Sequence, residues 1–254
     1  MSPTFLPRLL LSALLSASFL VPIPAFAQSK PKVDPLLEQQ VLEVLRKNPE
    51  VLYQVLKKFG EEQRSEQERK AKAEQVAAIQ KLFKDPKTLI GTSPTTGSAS
   101  NKILLVEFSD FQCPYCSKSN EVLKQFMTKH KDKVTLVFKN FPLTQAHPEA
   151  LPAARAAWAA QQQGKFWQYH DELFANQAKL SNNFYLDTAK KLNLSLAKFQ
   201  SDYGIADTAI LNDFKLGRTI DVQGTPALIL NGMPVENPSS IAELEQLLAK
   251  AEKK

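Results

Sequence analysis

Cysteine and histidine are scarce in this sequence, which has two cysteines and three histidines among 254 residues. Two cysteines are too few for a fold held together by several disulfide bridges. A structural zinc site needs four ligands, and His130, His147 and His170 form no pair at ligand spacing. No nucleotide, flavin or metal-binding motif is present, so we expect neither a cofactor nor a metal.

The N-terminus lacks an apolar run long enough to span a membrane. Leu9–Val21 has thirteen residues, whereas a span needs about 20. Arg8 precedes the run, and Ala25-Phe26-Ala27 supplies the small residues of a cleavage site. We therefore predict a signal peptide over residues 1–27, cleavage near Ala27, and export to the periplasm or another extracytoplasmic space. An uncleaved membrane anchor remains an alternative, because Arg8 is the only charged side chain before the run.

The two cysteines lie two residues apart, in Cys113-Pro114-Tyr115-Cys116. An apolar, β-prone segment, residues 103–108, precedes them, and apolar residues recur at helical spacing over residues 122–127. A strand that leads into a C-x-x-C pair at the start of a helix is typical of a dithiol redox site. Half of a zinc site and two buried structural thiols are the alternative interpretations.

The position of Cys113 favours the redox interpretation. Unpaired N–H groups and the helix dipole at a helix N-terminus stabilise a thiolate, and Pro114 is well tolerated in the first turn. A bridge from Cys113 to Cys116 would close too short a loop to stabilise the fold much. We therefore expect the pair to serve chemistry rather than architecture.

Residues 28–84 are predicted to form an N-terminal helical extension, because residues 34–84 contain no glycine except Gly60. One helix face carries an apolar stripe consisting of Val51, Leu52, Val55, Leu56 and Phe59. Three partners could cover this stripe: the chain's own domain, the same stripe of another copy, or a membrane surface. The glutamates of the following polar stretch make the membrane less favourable.

The remainder of the chain, residues 85–254, alternates predicted strands and helices. After the C-x-x-C helix, residues 134–139 form a β-rich run, and residues 148–219 read as a helical insertion. Residues 225–230 form a strand that opens on Pro226, where proline does not obstruct pairing. The order of these elements predicts an α/β fold.

Four groups of residues resemble the DsbA-like branch of the thioredoxin superfamily over roughly residues 85–250. They are Val106-Glu107-Phe108-Ser109-Asp110-Phe111-Gln112-Cys113-Pro114-Tyr115-Cys116; Lys139-Asn140-Phe141-Pro142 with His147-Pro148; Gly164-Lys165-Phe166-Trp167 with His170-Asp171-Glu172-Leu173-Phe174; and Gly224-Thr225-Pro226. Asn48-Pro49-Glu50-Val51-Leu52 also resembles the N-terminal helices of suppressor-of-copper-sensitivity and Com1-like members, some of which oligomerise through that region. The resemblance implies a thioredoxin fold with a helical insertion.

The resemblance also implies roles for individual residues. Cys113 would be the exposed nucleophile and Cys116 the buried resolving thiol. Glu107 would be a buried acid beneath them, although an edge or solvent-facing charge is the alternative, and Lys139 is a candidate partner for it. Pro226 would be the cis-proline that faces the disulfide. Pro114, Tyr115 and Thr225 would join Pro226 in contacting substrate.

Three functions are consistent with these features. The favoured one is an oxidase that introduces disulfides into reduced exported proteins and is recycled by a quinone-linked membrane partner. The second is a disulfide isomerase or reductase, assembled as a homo-oligomer through residues 34–84. The third is a Cu(I)-binding envelope stress protein that uses the thiolates. The net charge of +6 is spread over helical faces and does not indicate nucleic acid as a partner.

Overall fold

The structure is a computed structural model that describes residues 34–253. The predicted signal peptide, residues 1–27, lies outside the described residues. No helix within residues 34–253 is both long enough and apolar enough to cross a membrane.

The described chain has ten α-helices, one short 3-10 helix and five β-strands. The helices are α1 (Pro35–Lys47), α2 (Pro49–Leu82), α3 (Pro86–Ile90), α4 (Pro114–His130), α5 (Ala150–Gln161), α6 (Phe166–Ala175), the 3-10 helix (Gln177–Lys179), α7 (Asn182–Lys191), α8 (Leu196–Ile205), α9 (Asp207–Thr219) and α10 (Ile241–Ala251). The strands are β1 (Thr95–Gly97), β2 (Ile103–Ser109), β3 (Val134–Asn140), β4 (Ala227–Leu230) and β5 (Met233–Pro234).

The five strands form one mixed sheet in the order β1-β3-β2-β4-β5. Strand β2 runs parallel to β3, with Glu107 opposite Phe138, and antiparallel to β4, with Glu107 opposite Leu228. Parallel neighbours need a crossover connection, and helix α4 provides it between β2 and β3. This crossover begins at the C-x-x-C pair, which therefore lies at the carboxyl edge of the central strand.

Both faces of the sheet are covered by helices. Leu105 packs on one face with residues of α4 and α10, and on the same side Phe138 packs with residues of the helical insertion. Leu104, Val106 and Phe108 point to the opposite face, where they pack with α3 and α9. Because alternate residues of a strand face opposite sides, Glu107 and Ser109 share the face that holds the cysteines.

The predicted fold is confirmed: the chain is α/β, with a helical insertion between β3 and β4. The insertion predicted at about 148–219 corresponds to α5 through α9, residues 150–219. The strand predicted from Thr225 begins at Ala227. Strand β1, Thr95–Gly97, was not predicted; it pairs antiparallel with β3 at the edge of the sheet.

The boundary expected between residues 84 and 85 differs from the one in the structure. Contacts divide the chain into two compact units, one ending at Gly60 and the other beginning at Glu61. Ile79 of α2 is buried among Leu104, Val106 and other residues of the sheet. Its apolar side chain thus contributes to the core of the second unit, which is why the boundary falls before it.

In the first unit, no side chain between residues 34 and 60 is buried. The residues of the apolar stripe are 38–59% exposed in the single chain. Exposed large apolar side chains that cluster on one face mark an interaction surface more often than a solvated one.

Candidate active site

The C-x-x-C pair occupies the first turn of α4. Cys113 is the N-cap residue and Pro114 takes the first helical position, where its missing N–H costs no hydrogen bond. The carbonyl of Cys113 accepts hydrogen bonds from the N–H of Cys116 at 3.1 Å and of Ser117 at 3.3 Å. The predicted strand–turn–helix placement of the two cysteines is therefore present.

Both cysteines are free thiols, and their sulfur environments differ. The hydrogen bond with Cys116 is the largest influence on Cys113 and lowers the pKa of its thiol to about 5; Thr225 and the N–H groups of Cys116 and Tyr115 act in the same direction. Burial raises the pKa of Cys116 far above its usual range, and the hydrogen bond with Cys113 adds to that rise. At neutral pH, Cys113 is the thiolate and Cys116 keeps its proton.

The expectation that Cys113 is exposed is wrong for this structure, because its relative exposure is 3%. In its protonated form the sulfur donates a hydrogen bond to the carbonyl of Thr225 at 3.4 Å, and the side chain packs in the cluster that contains Phe111. Cys116 is fully buried, as expected. The outer surface of the site is formed instead by Pro114 and Tyr115, the latter 67% exposed.

Thr225 and Pro226 lie beside the cysteines although they are more than a hundred residues away in sequence. The peptide bond between them is cis, as the resemblance implied. The carbonyl of Thr225 faces the sulfur of Cys113, and both residues are half-buried. This backbone segment is therefore in direct contact with the Cys113 sulfur.

Glu107 is buried, with a relative exposure of 1%, so the solvent-facing alternative is wrong. Burial raises the pKa of Glu107 to about 7, because a charged carboxylate loses its hydration. Its Oε1 atom and the Oγ atom of Ser109 are buried without a hydrogen-bond partner. The charge of Glu107 raises the pKa of Cys116, which indicates that the carboxyl and the Cys116 thiol lie close together.

Lys139 does not pair with Glu107. Its Nζ atom is 3.1 Å from Oδ1 of Asp213 and donates to the carbonyl of Ile90 at 3.1 Å. In the β2–β3 register Lys139 lies opposite Phe108, whereas Glu107 lies opposite Phe138. The two charges therefore occupy opposite faces of the sheet.

Sequence reasoning missed the residues that hold the loop between β2 and α4. The buried carboxylate of Asp110 accepts hydrogen bonds from the N–H of Gln112 and of Leu143, and from Nδ1–H of His147 at 2.8 Å. The side-chain oxygen of Gln112 accepts from the N–H of Glu149 at 2.6 Å. Asp110 and His147 are both in the motifs quoted above, but nothing in their spacing shows that they touch.

Gln177 also contacts this loop, and its side-chain nitrogen donates to the carbonyls of Phe111 and Cys113. No sequence signal singles Gln177 out. Among residues 34–253, no three His, Cys, Asp or Glu side chains cluster as the ligands of a metal ion would. The site thus contains a dithiol in which one sulfur has a low pKa. The buried carboxyl of Glu107 lies near Cys116, and the Thr225–Pro226 backbone segment lies beside Cys113.

A family model described as thioredoxin matches residues 89–250. The chain belongs to the thioredoxin family. The match covers all the elements from β1 to α10 except the last residue of the final helix, and so includes the C-x-x-C pair and the cis-proline segment. The matched fold, with its helical insertion and its C-x-x-C pair, resembles the DsbA-like branch of this family.

Curated relatives share only part of their length with the chain. It is 33% identical over 150 residues to Na(+)/H(+) antiporter NhaA 1 of Mycolicibacterium vanbaalenii, a match that covers 58% of this chain and 24% of that protein. It is also 28% identical over 153 residues to the probable disulfide bond formation protein D of Bacillus cereus, covering 56% of this chain and 71% of that one. The chain thus spans about a quarter of the length of the antiporter relatives, and we assign it no transport activity.

Solved structures show the same fold over more of the chain. A linker-deletion variant of ScsC from Proteus mirabilis aligns with a TM-score of 0.58 and 22% identity over 89% of this chain and 99% of that one. A periplasmic thioredoxin-like protein from Salmonella enterica serovar Typhimurium aligns with a TM-score of 0.55 and 24% identity over 70% and 97%. The alignment with ScsC covers more of the chain than the redox fold alone. In the described chain the additional part consists of the N-terminal helices α1 and α2.

Proposed function

We propose that the protein is an oxidase that introduces disulfides into reduced exported proteins through Cys113 and Cys116. The observation that carries this proposal is the difference between the two thiols. A thiol with a pKa of about 5 is a good leaving group and is stable as the thiolate, so it stabilises the reduced protein. A stable reduced form makes the disulfide form a stronger oxidant.

The exchange proceeds in two steps from the disulfide form. A substrate thiolate attacks the Cys113 sulfur; the Cys113–Cys116 bond breaks, and Cys116 leaves as a thiolate that takes up a proton. A second substrate thiolate then attacks the substrate sulfur of the mixed disulfide, and Cys113 leaves as a thiolate. The substrate loses two electrons, and the enzyme holds them in its two sulfur atoms.

Glu107 fits the role of proton donor and acceptor for Cys116. Its pKa of about 7 lies near physiological pH, where a group can give and take a proton with similar ease. The hydroxyl of Ser109 shares the same strand face, two residues further along β2. The Thr225–Pro226 segment would bind the extended substrate by backbone pairing, and the exposed side chains of Pro114 and Tyr115 would also contact it.

The partners follow from this chemistry. The electron donors would be unfolded or reduced proteins, and a membrane protein linked to quinone would remove the electrons. Oxidation of exported proteins requires the chain itself to be exported, to the periplasm or an equivalent space, through the segment before residue 28. The domains would then be a signal peptide (1–27), an N-terminal helical extension (28–84) and the redox domain (85–254), with the packing of Ile79 extending the redox domain into α2.

The reduction potential tests the direction of electron flow. Equilibration of the mature protein with glutathione mixtures should give a value closer to the −120 mV or so of a strong oxidant than to the roughly −270 mV of thioredoxin. The oxidised protein should also convert a reduced, unfolded test substrate to its disulfide form. A potential near that of thioredoxin would contradict the oxidase assignment.

A disulfide isomerase or reductase is the second candidate, because the apolar stripe is exposed. If copies of the chain buried this surface against one another, the resulting oligomer would contain several active sites. The two functions differ in the resting state of the dithiol, which is mostly oxidised in an oxidase and mostly reduced in an isomerase. Trapping free thiols in acid-quenched cells with a mass-tagged maleimide measures that state directly.

A further inference from the structure

The loop between β2 and α4 is tied to the helical insertion by one side chain from a distant part of the chain. Gln177 opens the 3-10 helix between α6 and α7. Its Nε2 atom donates to the carbonyl of Phe111 at 2.8 Å and to the carbonyl of Cys113 at 2.9 Å. Within residues 34–253, no other side chain donates to either of these carbonyls.

One of the two carbonyls that Gln177 holds belongs to the nucleophilic cysteine itself, and the other belongs to Phe111, two residues before it. The Cys113 carbonyl also accepts the first backbone hydrogen bonds of α4, from Cys116 and Ser117. Its orientation therefore sets the direction of the first helical turn. The N–H groups of Tyr115 and Cys116 in that turn lower the pKa of the Cys113 thiol, so a rotation of this turn would weaken their contact with the sulfur.

Gln177 also offsets an unfavourable charge near the thiolate. A carbonyl oxygen carries partial negative charge, and unpaired carbonyls in the loop that holds a thiolate disfavour its ionised form. Hydrogen bonds from an amide to those oxygens reduce this effect, and they matter more in a site where Cys113 itself is almost completely buried.

We propose that Gln177 is a positioning residue for thiol–disulfide exchange, and that by holding the carbonyls of Phe111 and Cys113 it keeps the first turn of α4 directed at the Cys113 sulfur. The helical insertion is then part of the redox site as well as a cover for the sheet. This inference rests on the proposed function, since it assumes that Cys113 acts as a thiolate.

The test compares Gln177 with a glutamine that makes the same number of hydrogen bonds elsewhere in the insertion. Gln163 donates to the carbonyl of Ser195 at 3.2 Å and accepts from its N–H at 2.9 Å. Gln177→Met keeps the length of the side chain and removes the donor, and Gln163→Met makes the same change away from the site. Thermal melting monitored by circular dichroism establishes that each variant is folded.

Thiolate absorbance near 240 nm, titrated in the reduced proteins, measures the pKa of Cys113. Gln177→Met should raise it by about 0.5 to 1 unit, which is a three- to tenfold loss of thiolate at a pH below the midpoint. The equilibrium constant with glutathione should move by the same factor toward a weaker oxidant, about 15 to 30 mV. Gln163→Met should leave both quantities unchanged.

Two further variants distinguish the effect of the hydrogen-bond donor from the effect of side-chain charge. They also replace Gln177→Met in the test if that variant does not fold. Gln177→Lys keeps a donor and should leave the pKa at or below the wild-type value, whereas Gln177→Glu removes the donor and adds a negative charge and should raise it most. An unchanged pKa in folded Gln177→Met, or in folded Gln177→Glu, would overturn the inference, as would an equal shift in Gln163→Met. If the wild-type protein itself shows an ordinary thiol pKa, the proposed function fails as well, so the two failures are distinguishable.

Discussion

At the scale of single residues, the two cysteines show how position decides reactivity. They have the same side chain and lie one helical turn apart. Cys113, at the N-cap, is surrounded by hydrogen-bond donors to its sulfur, whereas Cys116 is fully buried in the core. The sequence order of the pair was enough to predict which thiol has the lower pKa, because the helix N-terminus lies at the first cysteine.

The residues around the cysteines were predictable only in part. Glu107 was found from the resemblance, and strand alternation then places it on the cysteine face. The burial of Cys113 could not be foreseen, because it depends on Thr225, which the distant segment before β4 places against the sulfur. Gln177 could not be predicted from the sequence for the same reason. Its contact with Cys113 joins positions 64 residues apart and follows no local pattern.

A substitution of Glu107 tests the buried acid, because burial should make its ionised form costly. Folding raises the pKa of the carboxyl from 4.5 to about 7. Its ionisation therefore does not destabilise the folded state below about pH 4.5, and it destabilises that state by the full amount above pH 7. Glu107→Gln is neutral at every pH. The reduced variant should therefore be more stable than the wild type by about 3 kcal/mol at pH 8, and about equally stable at pH 4.5, in urea unfolding.

The same variant should exchange more slowly, because it cannot donate a proton to the Cys116 thiolate as that thiolate leaves. Stopped-flow oxidation of a dithiol substrate between pH 5 and 8 measures this rate. Glu121→Gln, on the exposed face of α4, is the control and should change neither stability nor rate. Wild-type rates across that pH range in folded Glu107→Gln would refute the proton-transfer role.

At the scale of elements, the sheet and most helices followed from sequence periodicity. Apolar runs predicted β2 and β3, and Pro226 marked the approach to β4. Strand β1 was missed because its three residues, Thr95–Gly97, are all exposed and its sequence reads as a turn. The end of α2 was assigned to the extension because its helical pattern continues without a break, and periodicity does not show which partner a helix face meets.

Ile79 tests where the redox domain begins, because it is the buried residue of α2. Its relative exposure is 2%, and it packs in the cluster beneath the sheet. Ile79→Ala should lower the free energy of unfolding by about 2 to 4 kcal/mol, measured in urea by the fluorescence of the two tryptophans. Glu74→Ala, at an exposed position of the same helix, should cost no more than about 0.5 kcal/mol. Equal effects of the two substitutions would place the boundary after α2.

At the scale of the whole molecule, the chain combines a redox unit that buries its own core with a helical unit that does not. All five strands and the core clusters lie after Glu61. The side chains of residues 34–60 remain exposed or half-buried. A surface with this many apolar side chains is costly to keep in water, and burial of each is worth about 1.5 to 3 kcal/mol.

We expect this surface to be covered by other copies of the chain, so the mature protein should be an oligomer in light scattering at micromolar concentration. The double variant Leu56→Glu with Phe59→Glu should reduce it to a monomer, because two buried charges in a symmetric contact would be repeated in every copy. The substituted side chains are exposed in the single chain, so its fold and the thiolate pKa of Cys113 should not change. Lys57→Glu, at an exposed position on the opposite side of α2, lowers the net charge by the same two units and should leave the oligomer intact. A wild-type protein that is already monomeric would show that the stripe has another partner and would remove the main support for the isomerase.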